Sequence, residues 1–222
     1  LPQKSEISNC PLCLNRESLT SLKARDKRKF LLCSECNLIF VQREFLPSKR
    51  KEKERYLQHN NGIDQPGYVS FIEQAVNPAL SYINESMTGL DYGCGPSPVI
   101  SKLLKKENIT CINYDPFFFP EIPDIPFDFI FAPETFEHFF YPGNEMIKLK
   151  AHLKPEGFII IMTSLWNDQN KFSEWNYVND LTHVSFYHKK SITFICEEYG
   201  FKLKQMINER VIILQKYSLE LN

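Results

Sequence analysis

Nowhere does this chain approach the roughly 18 consecutive apolar residues that a membrane-spanning helix requires, so a helical membrane protein is excluded. The opening residues, Leu1-Pro2-Gln3-Lys4-Ser5-Glu6-Ile7-Ser8, carry no apolar core of the secretory type, and a cytoplasmic protein with no membrane partner is the default expectation. No internal repeat and no low-complexity linker is present. A surplus of one charge is also missing, with a formal net charge of −1 over 222 residues. That balance conceals an asymmetry. Residues 1–55 hold 13 Lys/Arg against 7 Asp/Glu, a local +6 that leaves −7 for the remainder. A basic leader on an acidic body can steer an anionic partner toward one end, although Lys49 to Arg55 also reads simply as a solvated helix face. Hydrophobic content of 43% and charged content of 24% are ordinary for a globular chain that holds one medium domain and a small appendage.

What is present begins with cysteine. Four of the seven cysteines form two C-x2-C knuckles, Cys10-Pro11-Leu12-Cys13 and Cys33-Ser34-Glu35-Cys36. Each knuckle turns both thiolates toward one point, and two knuckles complete a tetrahedral four-sulfur shell for zinc. A closed shell leaves no open position, so the expected zinc is structural. Strands at Phe30 to Leu32 and Leu38 to Val41 suit a zinc ribbon, and forty residues hardly bury enough surface to fold without metal. The ribbon is expected as a separate unit over residues 1–46. Cys94, Cys111 and Cys196 read as reduced packing residues.

Residues 47–85 read as a helical cap over a ligand cleft: Ser48 caps a charged helix from Lys49 to Leu57, and a break over residues 59–62 precedes an amphipathic segment from Tyr68 to Val76. Tyr68 and His59 either reach into that cleft or pack. The third region, 86–222, is organised around Leu90-Asp91-Tyr92-Gly93-Cys94-Gly95-Pro96-Ser97-Pro98. A buried strand enters this stretch and apolar residues at Val99, Ile100, Leu103 and Leu104 leave it with helical spacing. The glycines therefore sit on a strand-to-helix turn, where a missing Cβ lets backbone N–H groups approach a ligand. A second strand, Ile109 to Asp115, ends in an acid spaced to accept hydrogen bonds from a ribose. Taken alone, the Gly-x-Gly pair reads rather as a tight loop between strand and helix; the strand before it, the helix after it and the strand ending in Asp115 together favour a ligand.

With Asp91 two residues before Gly93, the pattern resembles the first motif of class I S-adenosylmethionine-dependent methyltransferases, and the likeness runs from about Asn77 to Lys216. Ser97 stands where that family often has a third glycine. The Leu153-Lys154-Pro155-Glu156-Gly157 turn before an apolar strand, the Glu137-His138 pair, and the run Asp180-Leu181-Thr182-His183-Val184-Ser185-Phe186-Tyr187 resemble further family segments. The resemblance implies an α/β fold with a Rossmann-like sheet, and S-adenosylmethionine as cofactor. It places Gly93, Gly95 and Pro96 under the methionine part and Asp115 on the ribose hydroxyls. Asp91 would order the loop or meet the amine through water, with Ala132, Pro133 and Glu134 on the cofactor's other side; Tyr68, if it reaches into the cleft, is a further candidate for binding the cofactor.

Residues 116–126 carry Pro116, Pro120, Pro123 and Pro126, too many for a helix and too short for a full crossover. The sheet is thus expected to be shortened between its second and fourth family strands. Pro116 and Phe117, with Phe118 and Phe119, either rebuild the adenine wall or fill the vacated space. For a base, His183 comes first and His138 second, because imidazole titrates near working pH, with Tyr187 orienting the acceptor or the histidine. The competing reading has His183 holding its loop together beside Asp180 and Thr182. The acceptor is expected to be a small metabolite; RNA, or a protein docked on the ribbon of a non-catalytic module, are the alternatives.

Overall fold

Two sheets share one chain. The computed structural model describes residues 9–23, 25–59 and 61–218; the opening octet and Asn60 of the break after the charged helix lie outside the described residues. Three short strands, β1 (Leu19–Leu22), β2 (Phe30–Cys33) and β3 (Ile39–Val41), form an antiparallel ribbon. Helices α1 (Lys49–Tyr56) and α2 (Pro66–Ala79) follow; Ser48 caps α1, accepting from the Lys51 N–H, and Pro66 opens α2 where its missing donor is harmless. The larger sheet then forms from β4 (Thr88–Tyr92), β5 (Thr110–Tyr114), β6 (Phe127–Pro133) and β7 (Leu153–Met162), with α3 (Ile100–Lys106) before β5 and α4 (Pro142–His152) before β7. After a two-residue strand β8 (Ser185–Phe186) and α5 (Lys189–Tyr199), a hairpin of β9 (Phe201–Ile207) and β10 (Val211–Lys216) closes the fold.

The six strands run in the order β5-β4-β6-β7-β10-β9, with the first four parallel and β10 antiparallel to both neighbours. Inner strands read as nearly continuous apolar runs, such as Phe129-Ile130-Phe131-Ala132 after the single polar Asp128, because both faces of a parallel sheet are covered. Ile72 and Val76 of α2 pack with Leu103 and Leu104 of α3 on one face. Met146 and Leu149 of α4 and Ile192 and Ile195 of α5 cover the other. As the prolines of residues 116–126 require, that interval holds no helix, and β5 becomes the edge of a shortened Rossmann-like sheet.

The ribbon is not the separate unit that its spacing suggests. Cys10, Cys33, Cys36, Leu38 and Phe40 belong to the same buried cluster as α4 and α5, and β3 pairs antiparallel with β8, Ile39 opposite Phe186. Phe186 is fully buried among Phe30, Phe172 and Trp175. Beside it, Arg28 reaches 150 residues along the chain. Its guanidinium donates to the carbonyls of His183 at 2.9 Å, Asp180 at 3.2 Å and Val178, while Asp26 holds its other edge at 2.7 Å. A side chain only 7% exposed thus satisfies three carbonyls of one loop. Replacing Arg28 by Met should therefore cost about 1.5–3 kcal/mol of stability and speed hydrogen exchange selectively over residues 178–184. Unchanged exchange in that segment would count against the ribbon as its anchor.

Candidate active site

The strand-to-helix turn opens onto a cleft of about 730 Å³ along the sheet edge where the strands end. Gly93 and Gly95 take φ values of 84° and 64°, in the left-handed region that an L side chain resists. A Cβ on Gly93 would collide with Thr135 at 2.6 Å, whereas one on Gly95 would enter open space, so the bend is not plugged by side chains. Gly93, Gly95 and Pro96 line the cleft, as do Tyr68, Asp115, Pro116, Phe117, Pro133 and Glu134.

Asp115 stands at the end of β5, 5% exposed, with its carboxylate turned back to the bend. One oxygen accepts from the Gly95 N–H at 3.1 Å, the other from the Phe117 and Phe118 N–H groups at 2.8 and 3.2 Å. Burial raises its pKa against these three donors. Of the three phenylalanines only Phe117 faces the cleft; Phe118 lies under the Lys53 ammonium at 5.8 Å, and Phe119 is solvent-facing.

Asp91, expected to order the loop or meet the amine through water, and Ala132, expected on the cofactor's other side, are not among the residues that line the cleft. Asp91 sits within β4 opposite Asn113 and Phe131, 1% exposed, and Ala132 is fully buried in β6. The alternation of a strand turns every second side chain inward, so proximity in sequence to the turn does not bring these two into the cleft. Asp91 carries one oxygen with no partner, and burial, then the charge of Asp115, pushes its pKa up to about 8.

At the far end stand the histidines. β6 leads into a tight turn over Phe136–His138, and the 182–185 segment lies alongside it: Val184 N–H donates to the Glu137 carbonyl at 2.8 Å and the Ser185 hydroxyl to the Phe139 carbonyl at 2.7 Å. This brings the rings of His138 and His183 to 4.9 Å, both on the cleft wall. Nδ1 of His138 meets the Thr182 carbonyl at 3.0 Å and Nδ1 of His183 the Tyr177 carbonyl at 2.7 Å. A carbonyl only accepts, so each Nδ1 carries a proton, and in a neutral ring of this tautomer the lone pair is on Nε2. Burial holds His138 neutral, down to about 4. Tyr187 does not join them: it is fully buried, its hydroxyl donating to the Phe136 carbonyl at 3.0 Å, and it supports the turn from within the core.

The helical cap was expected from the sequence, but Glu52 and Tyr56 of α1 were not named as site residues. Glu52 and Tyr56, one helical turn apart, face the cleft; Tyr56 packs edge-on against Phe117 at 5.7 Å and His138 at 5.2 Å. Arg55 pairs with Asp180 at 2.7 Å and latches the helix down. The amphipathic signal was present only as a tyrosine four residues after a glutamate inside a run of charge.

In the ribbon, one Sγ from each of Cys10, Cys13, Cys33 and Cys36 lies within 4.8 Å of the others, two pairs at 3.5 Å. Tetrahedral zinc with Zn–S near 2.3 Å places sulfurs about 3.8 Å apart, so the four thiols fit such an ion.

The methyltransferase domain model matches residues 65–206. No curated protein matches the sequence. Among solved structures, an O-methyltransferase family protein from Burkholderia thailandensis aligns with TM-score 0.51 and 14% identity, over 68% of this chain and 58% of that one. A candidate methyltransferase from Bacillus halodurans gives TM-score 0.51 and 13% identity, over 66% of this chain and 99% of that one. At such identities these two speak for the fold. The domain match, covering well over half the sequence and the whole of the glycine turn, the acid of β5 and the paired histidines, makes this chain a member of the methyltransferase domain family.

Proposed function

We propose that the cleft binds S-adenosylmethionine and passes its methyl group to a small-molecule acceptor. One observation carries this reading: the open glycine bend, Asp115 and the two histidines line a single cleft. Gly93, Gly95 and Pro96 then lie under the methionine part, Asp115 takes the ribose hydroxyls, and Pro116 and Phe117 flank the adenine. Tyr68, Pro133 and Glu134 close the opposite side. In the transfer, a lone pair of the acceptor bonds to the methyl carbon as the carbon–sulfur bond breaks and its electron pair stays on sulfur. The protein's part is alignment and exclusion of water, which α1 serves by lying over the cleft with Tyr56 turned inward. His183, and after it His138, stand where a proton would leave an acceptor hydroxyl.

A small acceptor is favoured over RNA because part of the basic leader is already engaged. Arg28 is committed to loop carbonyls and Arg55 to Asp180. The four cysteines hold a structural zinc in the same proposal.

Calorimetry should show S-adenosylmethionine binding that weakens by roughly 10- to 100-fold in Asp115→Ala, as loss of a charged hydrogen-bond acceptor implies. No heat at millimolar ligand would sink the reading. Metal analysis should give one zinc per chain bound at the cysteines. Its removal should lower the melting temperature of the entire chain in one transition, because the knuckles share a core with α4 and α5. A second, unshifted transition would show the ribbon to be dispensable.

A further inference from the structure

The acceptor end of the cleft holds a cluster that methyl transfer by itself does not require. One ligand atom each from Glu137, His138 and His183 lies within 4.8 Å of the others. Glu137 is fully buried, yet only one of its oxygens is satisfied, by the Thr163 hydroxyl at 2.9 Å; the other has no partner. A buried carboxylate oxygen left open is costly, and an ion is one of the few partners that would justify it. Glu134, beside it, also has a buried oxygen without a partner and is held on the cleft wall by a left-handed backbone at φ 48°, a strained conformation for glutamate.

The histidines are prepared in the same sense. Each directs its Nδ1–H to a backbone carbonyl, which fixes the ring and leaves Nε2 with its lone pair, the arrangement that orients imidazole ligands around metals.

We propose that Glu137, His138 and His183 bind a divalent transition-metal ion, with Glu134 as an adjacent anionic group. Two imidazoles and a carboxylate suit zinc, manganese or iron better than magnesium or calcium, which prefer all-oxygen shells. Both rings line the cleft, so the ion's remaining positions face the acceptor. The proposal deepens the methyltransfer reading and rests on it for the acceptor's chemistry, which it narrows to a hydroxyl-bearing small molecule. A bound cation lowers the pKa of an oxygen it touches. The hydroxyl gives its proton to solvent, the oxygen's lone pair bonds to the methyl carbon, and the departing sulfur keeps the electrons of its broken bond. His138 and His183 then act as ligands and not as the base.

The test uses the full chain, with zinc already saturating the cysteines. Mn2+ is titrated in and followed by electron paramagnetic resonance; added Zn2+ is followed with a chromophoric competitor. One further equivalent of at least one of these ions should bind the wild-type chain. His183→Ala and Glu137→Gln should each weaken it by roughly 10- to 100-fold, with folding checked by circular dichroism. No ion beyond the cysteine equivalent in the wild type overturns the site, and so does equal affinity in folded variants. S-adenosylmethionine calorimetry on the same wild-type sample separates the two readings. Metal binding without cofactor binding retires the methyltransfer reading and keeps the site; cofactor binding without the extra ion retires the site alone.

Discussion

Two consecutive backbone hydrogen bonds tie the ribbon to the acceptor end of the cleft. The N–H of Val41, at the end of β3, donates to the Val184 carbonyl at 2.9 Å, and the Val184 N–H donates to the Glu137 carbonyl at 2.8 Å. Ribbon, loop and post-β6 turn are thus rungs of one ladder, buried where water cannot replace a lost bond. His183 precedes the middle rung and His138 follows the last. The ribbon, whose cysteines do not line the cleft, thus bears on the position of both rings through strand register. Arg28 works on the same segment from the side, holding three carbonyls that would otherwise be buried unpaired.

The shortened sheet explains why α1 lies where it does. With no helix or strand formed between Asp115 and Phe127, β5 is an exposed edge and the cleft loses a wall. The prolines stiffen residues 116–126 into a loop that turns Phe117 inward, and Asp115 and Phe119 bridge across it at 2.9 Å in both directions. Tyr56 of α1 packs on Phe117, and Lys53 covers Phe118. A segment from before the sheet thus fills the place of elements missing within it. Besides these contacts, α1 is tied to the far wall by the Arg55–Asp180 pair at 2.7 Å.

Much of this was legible because it rests on local rules. Knuckle spacing, the glycine turn, the acid at the end of a strand and the proline-dense interval each specify backbone geometry over a few residues. The Leu153 to Gly157 turn was read from its pattern, and the structure adds that Glu156, where glycine is common, adopts a left-handed φ of 61° within the start of β7. What escaped depended on long-range packing. Tyr187 follows a strand of only two residues, too short for alternation to say which neighbour faces the cleft, and the core took it. Asp91 and Ala132 are buried one position away from the cleft-lining Tyr92 and Pro133, a step of the same alternation. The ribbon's fusion to the larger domain could not be read at all, since Ile39 and Phe186 are brought together only by the folded register.

The cleft's electrostatics give a reason for the acids beneath it. Asp91, Asp115, Glu134 and Glu137 lie in or under its wall, and two of them keep pKa values of about 8 through burial and, secondarily, a neighbouring carboxylate. Left empty of cations, Asp91 and Glu134 are partly protonated near neutral pH, and their ionised forms destabilise the fold. A positively charged ligand reverses the sign: it draws protons off these acids and recovers the interaction that burial had withheld. The sulfonium and ammonium of the proposed cofactor are cations, and so is the ion proposed at the histidines. An acidic cluster this costly to bury is readily understood if the working state of the cleft is the one with positive charge inside it.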